Sequence, residues 1–166
     1  MAIEVRRALP HEYEEAGRVT ALAYREFVGP EDAGWNEYLD RIADVGGRAG
    51  RTVVLVAEEG GRILGSATLE LEGRTEEGEP PVPSDEAHVR MLGVHPDARR
   101  RGVARMLMDA SVEEARRAGK RRLTLNTTQR MRAAQAMYES LGFERMEDRV
   151  FPDGFVLLGY EKRLDA

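Results

Sequence analysis

Two hydrophobic spacings take turns along the chain, one with the two-residue period of a strand and one with the three-to-four-residue period of a helix. Residues 3–8 alternate weakly and predict a first strand. Pro10 then opens a helix over residues 11–27, in which Val19, Leu22, Ala23, Glu26 and Phe27 recur on one stripe. Gly29-Pro30 ends it. A second helix is expected over residues 34–45, with Trp35, Tyr38, Leu39 and Ile42 on one face and Gly46-Gly47 as its break. The apolar run 52–57 and the alternating run 63–71 flank Glu58-Glu59-Gly60-Gly61 and predict a hairpin. Residues 73–85, with three prolines and four acids, lose all periodicity and read as a surface loop.

Strand pattern returns over residues 87–94. Gly93 falls inside it, where glycine marks either a bulge or a close approach of another backbone. A helix follows over residues 102–118, placing Val103, Leu107, Met108, Ser111, Ala115 and Ala118 on one side, with Gly119 as its stop. Residues 122–127 form a short strand with alternating leucines, so the strand-helix-strand order predicts a parallel crossover between strands four and five. A last helix over residues 131–142 carries Met131, Ala134, Tyr138 and Leu141 on one stripe. Residues 143–150 and 154–164 close the pattern as two strands. The fold class is therefore α/β (α+β), and 166 residues suit a single domain, 1–166, with its own core.

Composition narrows the chemistry. With no cysteine, the chain has no disulfide framework and no thiol nucleophile, and three scattered histidines argue against a structural metal site. A net charge of −5 argues against a nucleic-acid groove. No apolar run reaches the length of a membrane span and no leader pattern opens the chain, so a cytoplasmic protein with no membrane partner is expected. The basic cluster Arg116, Arg117, Lys120, Arg121 and Arg122 reads as a solvated helix end that suits the helix dipole.

The start of the helix at Gly102 is unusual. The residues before it are Arg99, Arg100 and Arg101, with no Ser, Thr, Asp or Asn to accept from the first free amides. Local charge thus adds to the positive end of the dipole, and a bound phosphate would answer both. Gly102 and Ala104 are small enough for the backbone to close on such an anion.

The spacing Arg99-x-x-Gly102-x-Ala104 resembles the acetyl-CoA loop of the GNAT superfamily of acyl-CoA-dependent N-acyltransferases, which reads Gln/Arg-x-x-Gly-x-Gly/Ala. Downstream, Ala134-x-x-x-Tyr138-Glu139-x-Leu141-Gly142-Phe143 matches the family's second signature. The resemblance covers the whole chain and is strongest over residues 86–143. It implies a mixed sheet of six to seven strands with about four helices, splayed between strands four and five. It also implies acetyl-CoA as cosubstrate, with no metal. On the cofactor side it assigns the strand backbone at Leu92, Gly93 and Val94 and the loop residues Arg99, Arg100, Arg101, Gly102, Val103 and Ala104. Asn126, Met131 and Ala134 complete that set.

For the reaction, the resemblance places Tyr138 where a phenol reaches the thioester sulfur, although by spacing alone it reads as a core tyrosine. His88 stands where many relatives carry a glutamate base, with Glu86 two residues upstream on the same strand face. Arg90 shares that face and suits an acidic group on the acceptor. The first helical pair overlies the acceptor side, so Tyr24, Phe27, Trp35 and Tyr38 either line that pocket or pack in the core. The asparagine that often precedes the second signature is Met131 here, leaving Asn126 or Thr127 to supply a polar contact. The expected activity is acetyl transfer to a primary amine of a small molecule or peptide, with a homodimer as a common assembly in the family. A CoA-binding module without catalysis and an acyltransferase for a longer acyl-CoA are the alternatives.

Overall fold

A computed structural model describes residues 2–27, 34–75 and 79–164. Strand β1 (Glu4–Arg7) leads through a short 3-10 turn into helix α1 (Tyr13–Arg25), and helices α2 (Trp35–Ala43) and α3 (Val45–Ala49) follow. Strands β2 (Val53–Glu59), β3 (Arg62–Glu70) and β4 (Glu86–Val94) come next, then α4 (Val103–Arg117), β5 (Arg122–Thr128) and α5 (Arg132–Ser140). The chain closes with β6 (Glu144–Arg145), β7 (Arg149–Val150) and β8 (Val156–Arg163). All eight strands belong to one sheet in the order β1-β2-β3-β4-β5-β8-β6, with β7 also on β8. The β4–β5 pair is parallel and every other pair is antiparallel.

This is the expected mixed sheet, with two refinements. The second predicted helix ends at Ala43, and Gly46-Gly47, expected to break it, lie inside α3, because Asp44 leaves helical geometry and its side chain accepts from Gly47 N at 3.0 Å, starting a helix afresh. The predicted strand 143–150 is broken into β6 and β7. Three residues, 146–148, oppose two on β8 there, and that extra residue bulges the edge.

Helices α4 and α5 cover one face and α1–α3 the other. On the first, Ala87, Val89, Leu123 and Leu125 pack against Met108, Val112 and Ala115 of α4 and Tyr138 of α5. On the second, Ala16 and Val19 of α1 meet Val54, Val56 and Ile63. The buried stripe of α1 is Ala16, Val19, Thr20 and Ala23; the predicted members Leu22 and Glu26 are exposed, since the stripe is one of small residues that let α1 lie close to the sheet. In α4 Ala118 is exposed, because the helix ends at Arg117. Lys120, read above as solvated, is buried and donates from Nζ to Ser84 O at 3.1 Å.

The sheet opens where the expectation placed it. Strands β4 and β5 pair only from Glu86 opposite Arg122 to Val89 opposite Leu125. Beyond that, β4 stays with β3 while β5 stays with β8, so the two part company. Across β3, Ala67 faces two residues, Met91 and Leu92, and Met91 adopts a φ of +54°. The bulge is therefore at Met91–Leu92 and not at Gly93. It shifts the alternation of side chains by one place. Met91 then packs with Ala21, Leu39 and Ile42, and position 93 is turned toward α1. A Cβ at Gly93 would lie 3.1 Å from Ala23 Cβ and 3.2 Å from Thr20 Cα, so the glycine is there for the close approach of α1.

Candidate active site

The loop from β4 to α4 sets the first part of the site. After a short turn over Pro96–Ala98, Arg99 is extended, Arg100 has φ +65° and Gly102 has φ +77°. Two left-handed residues within three positions coil the chain tightly ahead of the helix, as in loops whose successive amides face an anion. Gly102 offers no side-chain cap to α4. The first-turn amides of Val103, Ala104 and Arg105 accordingly have no side-chain acceptor among the described residues.

In front of these amides lies a cleft of about 810 Å³, a size suited to a small-molecule site. It runs through the gap between β4 and β5, with walls from both faces of the sheet. Leu92, Gly93 and Val94 form its β4 edge, and Asn126 and Thr127 form its β5 edge. Arg99, Arg100, Gly102, Val103 and Ala104 line its mouth. Met131, Ala134 and Tyr138 come from the α5 side, and Tyr24 and Phe27 from the end of α1.

The arginines at the mouth are not equivalent. Arg99 pairs with Glu26 at the end of α1, at 2.8 and 2.6 Å. Arg101 turns the other way, its Nη1 3.0 Å from Glu59 Oε1 on the β2–β3 hairpin and its Nη2 on Oε2, and does not line the cleft. The residue before left-handed Gly102 is thus directed out of the loop, away from the place expected for a cofactor contact. Arg100 makes no ion pair among the described residues. Arg105, Arg130 and Arg132 also line the cleft and were missed in the sequence. Arg105 sits three places after Gly102, on the same helical face, and that spacing was the available signal.

Tyr138 is held by its ring. Phe143 and Tyr160 lie 6.0 and 5.7 Å away, both tilted, and the side chain is buried. Its hydroxyl makes no hydrogen bond to a described residue and faces the cleft. Burial, with Tyr160 adding to it, pushes the phenol well above its usual range, so it stays protonated and acts as a donor. Tyr24, on the opposite wall, is raised too, by burial and by the neighbouring phenols of Tyr38 and Tyr138.

His88 and Glu86 lie on β4 upstream of the bulge, outside the cleft lining, on the face toward α1–α3. His88 Nδ1 is 2.7 Å from Thr124 Oγ1. Thr124 Oγ1 donates to Glu86 Oε2 at 2.7 Å, and Glu86 Oε1 pairs with Arg122 Nη2 at 2.7 Å. Thr124 was not singled out in the sequence; a lone strand threonine has no signature. Burial lowers the His88 pKa to about 4, with Glu70 opposing and Arg90 assisting. The ring is therefore neutral at pH 7. The charged groups around it are Glu70 and Arg74 from β3 and its loop, and Glu86 and Arg90 from β4.

Arg90, also outside the cleft lining, is committed to protein partners. Its Nη1 lies 2.8 Å from Glu79 and 3.4 Å from buried Glu70, which also takes Arg74 Nη1 at 3.1 Å and Thr75 N at 2.6 Å. That pairing meets the need of the buried carboxylate, so the expected role toward an acidic acceptor is not supported by a free guanidinium. Tyr38 is partly buried, and the side chain of Trp35 lies outside what is described.

Comparison with known proteins agrees with the geometry. Residues 16–143 match the Acetyltransferase (GNAT) family model. The chain is 30% identical over 116 residues to a mycothiol acetyltransferase of Geodermatophilus obscurus, an alignment that takes in 70% of this chain and 36% of that one. It thus spans about a third of the length of that curated relative. Among solved structures it is similar to yncA of Salmonella typhimurium, solved with its cofactor acetyl-CoA, with TM-score 0.74, 23% identity and coverage of 100% and 96% of the two chains. It is also similar to the ribosomal-protein-alanine N-acetyltransferase of Brucella melitensis, with TM-score 0.68, 26% identity and coverage of 97% and 99%.

Proposed function

This chain belongs to the GNAT acetyltransferase family, and on that footing we propose that residues 1–166 act as one domain transferring an acetyl group from acetyl-CoA to a primary amine of a small molecule or peptide. The observation that carries the reading is the cleft through the splayed sheet, which joins the uncapped start of α4 to a phenol that makes no hydrogen bond among the described residues. The residues fit the cosubstrate: free amides, the helix dipole and Arg100 suit a diphosphate, and the open strand edges suit an amide-bearing arm. Acetyl-CoA supplies the activated thioester when bound.

Two tasks fall to the chain. An alkylammonium with a pKa of about 10 is only about one part in a thousand nucleophilic at pH 7, so its proton must be taken up. His88, neutral at that pH, takes it on Nε2, the free amine attacks the thioester carbonyl to form the new C–N bond, and the second proton that the nitrogen must lose passes to solvent. Tyr138 gives its hydroxyl proton to the sulfur as the C–S bond breaks, and draws a replacement proton from solvent. Asn126, whose amide makes no hydrogen bond to a described residue, supplies the polar contact expected of the missing asparagine, since the Thr127 hydroxyl is spent on Met131 Sδ at 3.4 Å.

The test is calorimetric titration with coenzyme A, followed by thiol release from acetyl-CoA across a panel of amines. Tight binding with turnover that falls at least tenfold in Tyr138→Phe is expected. Binding without turnover on any amine would favour a sensor module, and preference for longer acyl-CoA would favour the other alternative.

A further inference from the structure

The hydrogen bonds around Thr124 fix more than distances. A threonine hydroxyl has one proton to give. Glu86, salt-bridged to Arg122 at 2.7 Å, is an acceptor, so the Thr124 proton goes to Glu86 Oε2. The oxygen then has only lone pairs left for His88 Nδ1, which stands 2.7 Å away. For that contact to be a hydrogen bond, Nδ1 must carry the ring proton. A neutral imidazole has one such proton, so Nε2 is bare, and it makes no hydrogen bond to a described residue.

We propose that Thr124, oriented by Glu86, is the positioning residue that locks His88 as the Nδ1–H tautomer and leaves Nε2 as the base on the acceptor side. This rests on the reading of His88 as the base of acetyl transfer. When Nε2 takes the ammonium proton, the imidazolium keeps its Nδ1–H on Thr124, and no group in the chain has to reorient. Glu86 then acts through Thr124 and touches no substrate. The hydrogen-bonded chain joins two strands, since Glu86 and His88 flank one position of β4 while Thr124 lies opposite His88 on β5. The contact is thus fixed by the last paired rungs before the sheet opens.

Histidine 15N spectra of the full chain at pH 7 read the tautomer directly, with His88 separated from His11 and His95 by the spectrum of His88→Gln. The wild type is expected to show Nδ1–H at His88. Thr124→Val should lose that preference and lower kcat by roughly 10- to 100-fold, less than the 10²- to 10⁴-fold worth of a general base itself, with the KM for acetyl-CoA unchanged. Thr124→Ser should restore both. Glu86→Gln, which keeps the volume, should reverse the tautomer: the amide oxygen faces Arg122, its NH2 donates to Thr124, and the hydroxyl turns to His88. An Nε2–H signal in the wild type, or an Nδ1–H signal that survives Thr124→Val, would overturn the proposal. An Nδ1–H tautomer with full turnover in Thr124→Val would overturn the positioning role while leaving acetyl transfer standing. No turnover in the wild type on any amine, with the tautomer as stated, would instead bring down the base assignment and the acetyl-transfer reading together.

Discussion

The two faces of the sheet build their halves of the site from different materials. On the α4–α5 face the packing is apolar, and, the Tyr138 phenol apart, the site is made mainly by backbone: a bulge at Met91, left-handed Arg100 and Gly102, a helix start without a cap, and two strands that separate. On the α1–α3 face it is made by side chains from distant segments. Buried Arg48 of α3 holds Thr68 Oγ1 at 3.0 Å and the carbonyls of Arg41 and Ile42 at 2.8 and 2.9 Å, while Glu70, Arg74, Arg90 and Glu79 form one ionic cluster. Burial lowers the Arg48 pKa to about 10, which leaves it charged at pH 7. The lesson is that a backbone site presents the same groups to any ligand of the right shape, whereas a side-chain site is specific to what its network leaves uncommitted.

The largest expected effect separates these halves. His88→Ala should lower kcat/KM by about 10²–10⁴-fold, the usual worth of a general base, with coenzyme A affinity in calorimetry changed less than about twofold. In the wild type the acid limb of kcat/KM should fall as pH drops through about 4, where Nε2 becomes protonated, instead of near the ordinary histidine value of 6.5. A limb near 6.5 would mean that the base is exposed or is another group.

A smaller effect is expected on the backbone side. Gly102→Val puts a β-branched residue at φ +77°, a cost on the order of 1–2 kcal/mol, and roughly a tenfold rise in the coenzyme A dissociation constant should follow. Beyond its chain neighbours, no atom of the described residues lies within 4 Å of the added Cβ, so the melting temperature should move much less than with a buried clash. An unchanged dissociation constant would break the comparison, because the loop would then not be the diphosphate site. Least of all should change in Arg101→Ala. Its partner is Glu59, so the dissociation constant should stay within about twofold, while Arg100→Ala weakens binding measurably; the reverse order would show that the ion pair opens for the ligand.

What the sequence determined by itself was local in origin. Helix and strand periods, the uncapped basic start of α4, and the run ending Tyr138-Glu139-Ser140-Leu141-Gly142 all depend on neighbours within a few residues, and the order of elements and part of the cleft lining were legible from them. Three features were not. The bulge belongs to Met91 because pairing with Ala67 on another strand decides it, and Gly93 looked the better candidate only while α1 was out of sight. Arg101 carried the right charge in the right loop, yet its direction depended on where the β2–β3 turn placed Glu59. Thr124 acquired meaning only once β4 and β5 lay side by side, which set its hydroxyl between residues 36 and 38 positions away. Backbone preferences act over one turn of chain, but a hydrogen bond between side chains requires strand register, and register is fixed only when the sheet assembles.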